Sequence, residues 1–238
     1  MPATLYLIPN LLGVANPSDV LPASTIVRTQ TLNHFIVETP KIARAFLKTL
    51  SPERVIADVH MIACDPARDA LTQCQAWLTS GIDVGVISDA GCPGMADPGA
   101  LFVALAHRMG ARVVPLVGPS SLLLGLMACG MNGQQVTFNG YLPAKTDDRD
   151  AALKSLDRIV KTTGATQAFI ETPYRNAAMF AAIKKNVSGD VALCIAQNLA
   201  SEGERIATKP INAWTAHDGS WVSAKVPALW LIGKFATP

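Results

Sequence analysis

Charged residues are scarce in this chain of 238 residues, at 16% against the roughly 25% of an average soluble domain. Half of the residues are hydrophobic, which predicts a large core and favours a buried interface between subunits. The formal net charge of +2 gives no overall attraction to nucleic acid, although it is compatible with a local basic patch.

Patterns of a disulfide framework, a metal site or a membrane segment are also missing. The five cysteines are scattered without a CxxC pair, as is typical of reduced thiols in the cytoplasm. No HxxxH motif or His/Cys cluster offers a metal site, and the four histidines are isolated. No apolar run approaches the roughly 18 residues of a membrane helix, and no basic residue precedes Arg28. We therefore expect a cytoplasmic protein without a signal peptide or a membrane partner.

Several familiar catalytic and nucleotide motifs are absent as well. The chain has no GxGxxG after its first strand, no GxxxxGKS/T and no GxSxG, which excludes the usual dinucleotide, P-loop and nucleophile-elbow sites. A Rossmann-type methyltransferase has a glycine-rich turn after its first strand. Here residues 8–13 contain only one glycine.

The most informative segment that is present is SDAGCPGMADPG at residues 88–99. It follows a β-favouring run at 84–87, and Asp97-Pro98 predicts a helix start with Asp97 as N-cap. A structural connector of this kind needs about two to six residues, and this loop is longer. Its glycines permit close approach to the backbone, so we predict a ligand loop at the carboxyl edge of a sheet.

The order of strand and helix signals predicts an α/β protein of two domains. Strands and helices alternate over the first 130 residues, which indicates a parallel-sheet N-terminal domain over residues 1–132. Closer strand spacing predicts a mixed sheet in a C-terminal domain over residues 133–238. Helices are predicted between some of these strands, at Arg149–Val160 and Tyr174–Lys185.

SDAGCPGMADPG, followed by VPLVGPSS at residues 114–121, resembles the paired signature of the tetrapyrrole (corrin/porphyrin) methylase superfamily. The chain is most similar to the branch of ribosomal RNA small subunit methyltransferase I. FNGYLPAK at 138–145 resembles the FxGFLPxK segment of that branch, and FIETPYR at 169–175 resembles its FYESxxR segment. These motifs stand in family order from about residue 5 to residue 235.

The resemblance implies two α/β domains with S-adenosylmethionine in the cleft between them, and a homodimer. It also implies the cofactor-binding positions. These are Pro9, Leu12, Ser88, Asp89, Ala90, Gly91, Pro93, Met95, Ala96, Ser120, Ser121, Ile170, Pro227 and Ala228.

The implied activity is methylation of a ribose 2′-hydroxyl of ribosomal RNA, and two alternatives stand beside it. One is C-methylation of a tetrapyrrole or another small planar metabolite. The other is a degenerate member that binds the cofactor without turnover, because the TPIGN and RELTK patterns of the family are replaced here by PNLLG at 9–13 and QNLAS at 197–201.

Methyl transfer to a ribose hydroxyl requires removal of a proton, so carboxylates near strand ends are the catalytic candidates. Glu38, Asp89 and Glu171 meet this condition, and Arg175 is a further candidate. Asp89 can equally organise its loop, and Glu171 can equally cap the following helix. Arg175 can bind the cofactor carboxylate, an RNA phosphate or Glu171.

Two surfaces are predicted. Lys145 and Arg149 match a family motif, and with Arg175 they are the expected RNA-binding residues. The basic run Lys154, Arg158 and Lys161 shares one helical face, which a solvated surface also explains. The apolar segments Leu122–Met127 and Ala228–Ile232 are candidates for a dimer interface, with ordinary core as the alternative.

Overall fold

The computed structural model describes residues 3–65, 67–222 and 224–236, and the chain divides after Ser120 into two compact units. The predicted boundary at 132/133 lies one helix later. The intervening helix groups with the second unit because its Gly125 lies against the Leu229 side chain, so closely that an added Cβ would collide with it.

The first unit is a parallel sheet with its helices, as the alternating signals predict. Its elements are β1 (Thr4–Ile8), α1 (Pro17–Val20), α2 (Ala23–Thr31), β2 (His34–Val37), α3 (Pro40–Leu50), β3 (His60–Ala63), α4 (Ala67–Thr79), β4 (Val84–Ile87), α5 (Gly99–Arg108) and β5 (Arg112–Pro115).

The strand order of the first sheet is β3-β2-β4-β1-β5. The connection after β2 leads to β3 at one edge, whereas the connection after β4 leads to β5 on the other side. The loops that leave the adjacent strands β2 and β4 therefore diverge, and ligands bind at such points in open α/β sheets. All four residues of β4 are buried.

Strand β3 and helix α2 are among the elements of this unit that sequence patterns miss. The edge strand β3 is short and half-exposed, so it has no buried run, and its pairing with β2 decides its conformation. Helix α2 contains several β-branched residues, which disfavour a helix. Its buried Thr25 and Thr29 hold it in place, and the Thr25 hydroxyl donates to the Val117 carbonyl at 2.7 Å.

The second unit contains the predicted mixed sheet. Its elements are α6 (Ser121–Ala128), β6 (Val136–Tyr141), α7 (Thr146–Thr163), β7 (Thr166–Glu171), α8 (Asn176–Asn186), β8 (Ala192–Gln197), β9 (Arg205–Pro210), α9 (Ala216–Val222) and β10 (Ala228–Gly233). The order is β6-β7-β10-β8-β9. Neighbours β6 and β7 pair in parallel, and the other three neighbouring pairs are antiparallel. The predicted α/β fold with one parallel and one mixed sheet is confirmed.

The histidines are less isolated in space than in sequence. His34 and His60 lie opposite each other on β2 and β3, and their rings stack with centroids 4.5 Å apart. Burial and the neighbouring His60 lower the pKa of His34. Among the described residues, no helix is long and apolar enough to cross a membrane.

Candidate functional site

The loop after β4 is attached to the loop after β1 by Asn10, a residue that is only 4% exposed. The backbone amides of Asn10 and Gly91 each donate to the other residue's carbonyl, at 2.9 and 3.2 Å. The Asn10 side-chain amide donates to the carbonyls of Ser88 and Asp89, at 3.0 and 3.2 Å. Asn10 therefore determines the shape of the predicted ligand loop, and sequence analysis did not select it.

The ends of β2 and β4 are joined by a reciprocal pair of carboxylates. Glu38 Oε2 accepts the Asp89 backbone N–H at 2.9 Å. In return, Asp89 accepts the backbone N–H of Thr39 at 3.0 Å and the Thr39 hydroxyl at 2.7 Å. Both oxygens of Asp89 are thus engaged by one neighbour, which favours the loop-organising role for this carboxylate.

A third loop, after β5, meets the other two. Gly118 lies so close to the Pro9 ring that a Cβ at this position would overlap it. The Cys92 thiol lies 3.5 Å from the Pro119 carbonyl, as a donor to it. The two halves of the signature, 88–99 and 114–121, are therefore brought together at one edge of the sheet.

The backbone of the ligand loop is bent at three residues with positive φ. Gly91 has φ +68°, Gly94 has φ +87° and Ala96 has φ +65°. The left-handed conformation is unfavourable for alanine. Ala90, Met95 and Ala96 are exposed, whereas Ser88, Gly91 and Pro93 are buried. The exposed part of the loop therefore presents mainly backbone groups and small side chains.

Asp97 ends the loop and caps the helix with its side chain, one residue before the assigned cap position. Helix α5 begins at Gly99 and Pro98 occupies the cap position. Asp97 Oδ1 accepts the backbone N–H groups of Gly94 at 2.8 Å and Gly99 at 2.7 Å. One carboxylate oxygen thereby closes the loop and caps the helix, because the turn at Gly94 folds back onto the helix start.

A small pocket, with room for about one water molecule, lies between the ends of β2 and β4. Its apolar wall includes Ile36, Val86 and Phe102, and its polar lining includes Glu38 and Asp97. Burial raises the pKa of Glu38, as do the Asp89 and Asp97 carboxylates, whereas the hydrogen bond from the Asp89 N–H opposes the shift. Glu38 Oε1 has no hydrogen-bond donor within residues 3–65, 67–222 and 224–236.

Glu171 and Arg175 form an ion pair at the end of β7 in the second unit. Glu171 Oε2 lies 3.0 Å from an Arg175 Nη atom, and the Glu171 side chain is only 1% exposed. Glu171 Oε1 accepts the Thr172 backbone N–H at 2.7 Å. Arg175 also donates to the Pro143 carbonyl at 3.2 Å. Glu171 Oε1 is thus hydrogen-bonded, whereas the buried Oε2 has the ion pair with Arg175 but no hydrogen bond from the described residues, and the pair holds the turn together.

Three further predicted site residues of the second unit, Ile170, Pro227 and Ala228, lie close to this pair. In the antiparallel pairing of β7 with β10, Ala228 is opposite Glu171, and Leu229 is opposite Ile170. Pro227 directly precedes β10, and its carbonyl accepts the Asn198 N–H at 3.4 Å. Ser121 begins α6, and Ser120 directly precedes it in the first unit.

The prediction that Arg149 contacts RNA is not supported by its position. Helix α7 begins at Thr146, three residues before the predicted start, so Arg149 lies within its first turn and is only 8% exposed. Its charge is therefore withdrawn from the surface, whereas Lys145 at the N-cap is exposed. In the described part of the chain, no three His, Cys, Asp or Glu side chains approach closely enough to hold a metal ion.

Comparison with characterised sequences identifies relatives over most of the chain. Ribosomal RNA small subunit methyltransferase I of Mesorhizobium japonicum is 32% identical over 212 residues, which cover 88% of this chain and 70% of that protein. The chain belongs to the ribosomal RNA small subunit methyltransferase I family. The predicted resemblance is confirmed, although no family model matches the sequence.

Other members of the family are similarly distant. The protein of the same name from Micromonospora olivasterospora is 32% identical over 213 residues, which cover 90% of this chain. The chain spans 64% of the length of that relative. The Pseudomonas aeruginosa protein is 29% identical over 215 residues, which cover 78% of this chain and 74% of that protein.

Solved structures share the fold of this family member at low sequence identity. The methyltransferase CobJ superposes with a TM-score of 0.63 at 14% identity, covering 99% of this chain and 95% of its own. Uroporphyrin-III-C-methyltransferase from Thermus thermophilus gives a TM-score of 0.56 at 15% identity, covering 99% and 94%. The fold is therefore that of the tetrapyrrole methylases.

Proposed function

We propose that this protein is an S-adenosylmethionine-dependent methyltransferase that methylates a ribose 2′-hydroxyl of small-subunit ribosomal RNA in the cytoplasm. The observation that carries the proposal is the membership of the chain in a family of ribosomal RNA methyltransferases. Hydrogen bonds from Asn10 and Thr39 hold the signature loop of the family in place.

The loops of the first unit have the properties that S-adenosylmethionine requires. Pro9, Leu12, residues 88–96 and Ser120 would hold it, because small exposed residues leave backbone groups accessible for hydrogen bonds. For Ser121, Ile170, Pro227 and Ala228, which belong to the second unit, cofactor binding stays a prediction from the family resemblance. When bound, the cofactor supplies an electrophilic methyl group on a sulfonium.

We assign the proton acceptor to Glu38, because each of the other two carboxylates is already paired with a neighbouring residue. Asp89 accepts two hydrogen bonds from Thr39, and Glu171 is paired with Arg175. Glu38 keeps one free oxygen beside the pocket, and its raised pKa brings its basicity closer to that needed at neutral pH. In this role Glu38 takes the proton of the ribose hydroxyl as that oxygen gains the methyl group.

The substrate is tested by ribosomal RNA from cells that lack this gene. We expect the purified protein to transfer label from tritiated S-adenosylmethionine to small-subunit RNA from the deletion strain and not to RNA from the parent strain. The modified nucleotide should resist alkaline cleavage of the adjacent phosphodiester, because a 2′-O-methyl group removes the attacking hydroxyl.

Two results would contradict the RNA assignment. If every ribose site stays methylated in the deletion strain and no RNA accepts label, RNA is not the substrate. A pigment that copurifies with the protein and accepts label would then favour the tetrapyrrole alternative, whereas cofactor binding without any acceptor would favour a degenerate member.

We also propose a homodimer formed through α6. Leu123 and Met127 lie one turn apart on this helix and are 60% and 81% exposed. The second apolar segment, Ala228–Ile232, is buried throughout as part of β10 and belongs to the core. Exposed apolar patches on soluble proteins often mark interfaces.

The dimer proposal predicts a mass in light scattering of about twice the 25.1 kDa of one chain. We expect a double variant, Leu123→Asp with Met127→Asp, to be monomeric, because two buried carboxylates would oppose association. Val55→Asp places the same charge at another exposed apolar residue and should remain dimeric. A wild-type mass of 25.1 kDa with cofactor present would overturn the proposal.

A further inference from the structure

Tyr174 has the most exposed aromatic side chain of the described residues, at 82%. It lies in the short 3₁₀ turn Pro173–Arg175, directly after β7. The turn is fixed by the ion pair of Arg175 with Glu171. The ring is therefore held outward by a buried support.

A lysine is held beside this ring by a second buried contact. The Lys225 ammonium nitrogen lies 5.6 Å from the centre of the Tyr174 ring. Asn176 follows the turn and is fully buried, and its side-chain amide donates to the carbonyls of Ala224 and Val226, at 2.8 and 2.9 Å. These two bonds lie on either side of Lys225, so Asn176 fixes the backbone that bears the lysine next to the turn that bears the tyrosine.

The same edge of the sheet carries a second exposed tyrosine and further cations. Tyr141 ends β6, pairs with Ile170 of β7 after a shift in the strand register, and is 56% exposed. Arg175 bonds the Pro143 carbonyl, which ties the segment bearing the exposed Lys145 to the Tyr174 turn. The carboxylate of Glu171 is buried and paired, although Asp147 and Asp148 are exposed at the start of α7.

Exposed aromatic rings with cations beside them are the chemistry that recognises single-stranded nucleic acid. Bases stack on the ring, while lysine or arginine contacts the phosphates. A lysine over a tyrosine face also has a weak cation–π attraction, so it stays close to the ring in the absence of RNA.

We propose that Tyr174 is a stacking platform for an unpaired base of the RNA substrate, and that Lys225 contacts a phosphate of the same strand. The proposal rests on the proposed function, since it requires an RNA substrate. Tyr174 is thus a positioning residue that holds the strand, and it takes no part in the transfer of the methyl group.

The test uses the full-length protein and a single-stranded RNA oligonucleotide of mixed sequence that contains one 2-aminopurine. Stacking on an aromatic ring quenches 2-aminopurine fluorescence, so the signal reports the contact itself. We expect Tyr174→Ala to weaken binding by about 5-fold to 100-fold and to abolish the quenching. Tyr174→Phe should retain both within about twofold, because it preserves the ring.

Lys225 is tested by the salt dependence of binding. Lys225→Gln should reduce the slope of log affinity against log salt by about 0.7, the value for one phosphate contact on a single strand. Lys48→Gln removes an exposed lysine of the first unit and should leave the slope unchanged. Melting temperatures and cofactor affinity of all variants should equal those of the wild type.

The outcomes separate this proposal from the function on which it rests. If the wild type methylates RNA and Tyr174→Ala binds the oligonucleotide with unchanged affinity and quenching, the stacking platform is wrong while the function stands. If Tyr174→Phe is as impaired as Tyr174→Ala, the hydroxyl and not the ring is responsible, and the proposal is overturned. If the wild type binds no RNA, both proposals fail.

Discussion

Replacement of Glu38 by Gln is expected to lower kcat by about 100-fold to 10,000-fold, the usual contribution of a general base. The amide preserves the size of the side chain, and its oxygen can still accept the Asp89 N–H that Glu38 Oε2 accepts at 2.9 Å. The clasp between β2 and β4 should therefore persist, and cofactor affinity should change by less than about threefold. Only the capacity to take a proton is lost.

The pH dependence of turnover tests the role of Glu38 as the base independently. A base works only when it is deprotonated, so kcat should fall as the pH decreases through the pKa of Glu38. Burial and the carboxylates of Asp89 and Asp97 raise that pKa, which moves the acid limb to a higher pH than an ordinary glutamate would give. The limb should disappear from the residual activity of Glu38→Gln.

Two further variants define what counts as a specific effect. Glu53→Gln changes an exposed carboxylate elsewhere in the first unit and should leave kcat and the profile unchanged. Asp89→Asn weakens the bonds to Thr39, so it should reduce cofactor affinity and turnover together without removing the limb. If Glu38→Gln keeps the acid limb and a kcat within threefold of the wild type, Glu38 is not the base.

Replacement of Gly91 by Val should abolish measurable binding of S-adenosylmethionine, a loss of at least about 100-fold in affinity. Gly91 has φ +68°, a conformation that a β-branched residue strongly resists. A Cβ at this position would lie 3.1 Å from the side chain of Leu12, another residue of the proposed cofactor site. The backbone bonds between Gly91 and Asn10 would be strained at the same time.

Gly110 provides a matched control for this substitution. It has φ +69° in the turn between α5 and β5, and nothing lies within 4 Å of the position of an added Cβ. Gly110→Val therefore carries a similar backbone strain, on the order of 1–3 kcal/mol, without crowding the loops. It should lower the melting temperature and retain cofactor binding.

Isothermal titration calorimetry compares the cofactor affinity of both variants with that of the wild type. For the wild type we expect one cofactor per chain. Circular dichroism should show that Gly91→Val keeps its helices and strands. Normal affinity in Gly91→Val would exclude this loop from the cofactor site. Undetectable binding by the wild type at millimolar cofactor would exclude S-adenosylmethionine itself.

The sequence by itself determined the type of sheet in each half, the ligand loop and the family. These properties are encoded by neighbouring residues: the strand 84–87, the glycines of the loop and the Asp97-Pro98 helix start occur in one continuous segment. Short-range signals of this kind depend on backbone preferences that each residue carries with it. The same signals missed β3, since its conformation depends on its pairing with β2.

The tertiary structure decided which of the candidate side chains are free to act. Asp89 and Glu38 are 51 residues apart, and the adjacency of β2 and β4 brings them together. As a result, both oxygens of Asp89 bind Thr39, whereas Glu38 keeps one oxygen without a hydrogen-bond donor among the residues that the structure describes. The attachment of the ligand loop by Asn10 spans 78 residues. The packing of α7 decided that Arg149 is buried. Hydrogen bonding and burial between distant segments arise from strand order and packing, which no local pattern specifies.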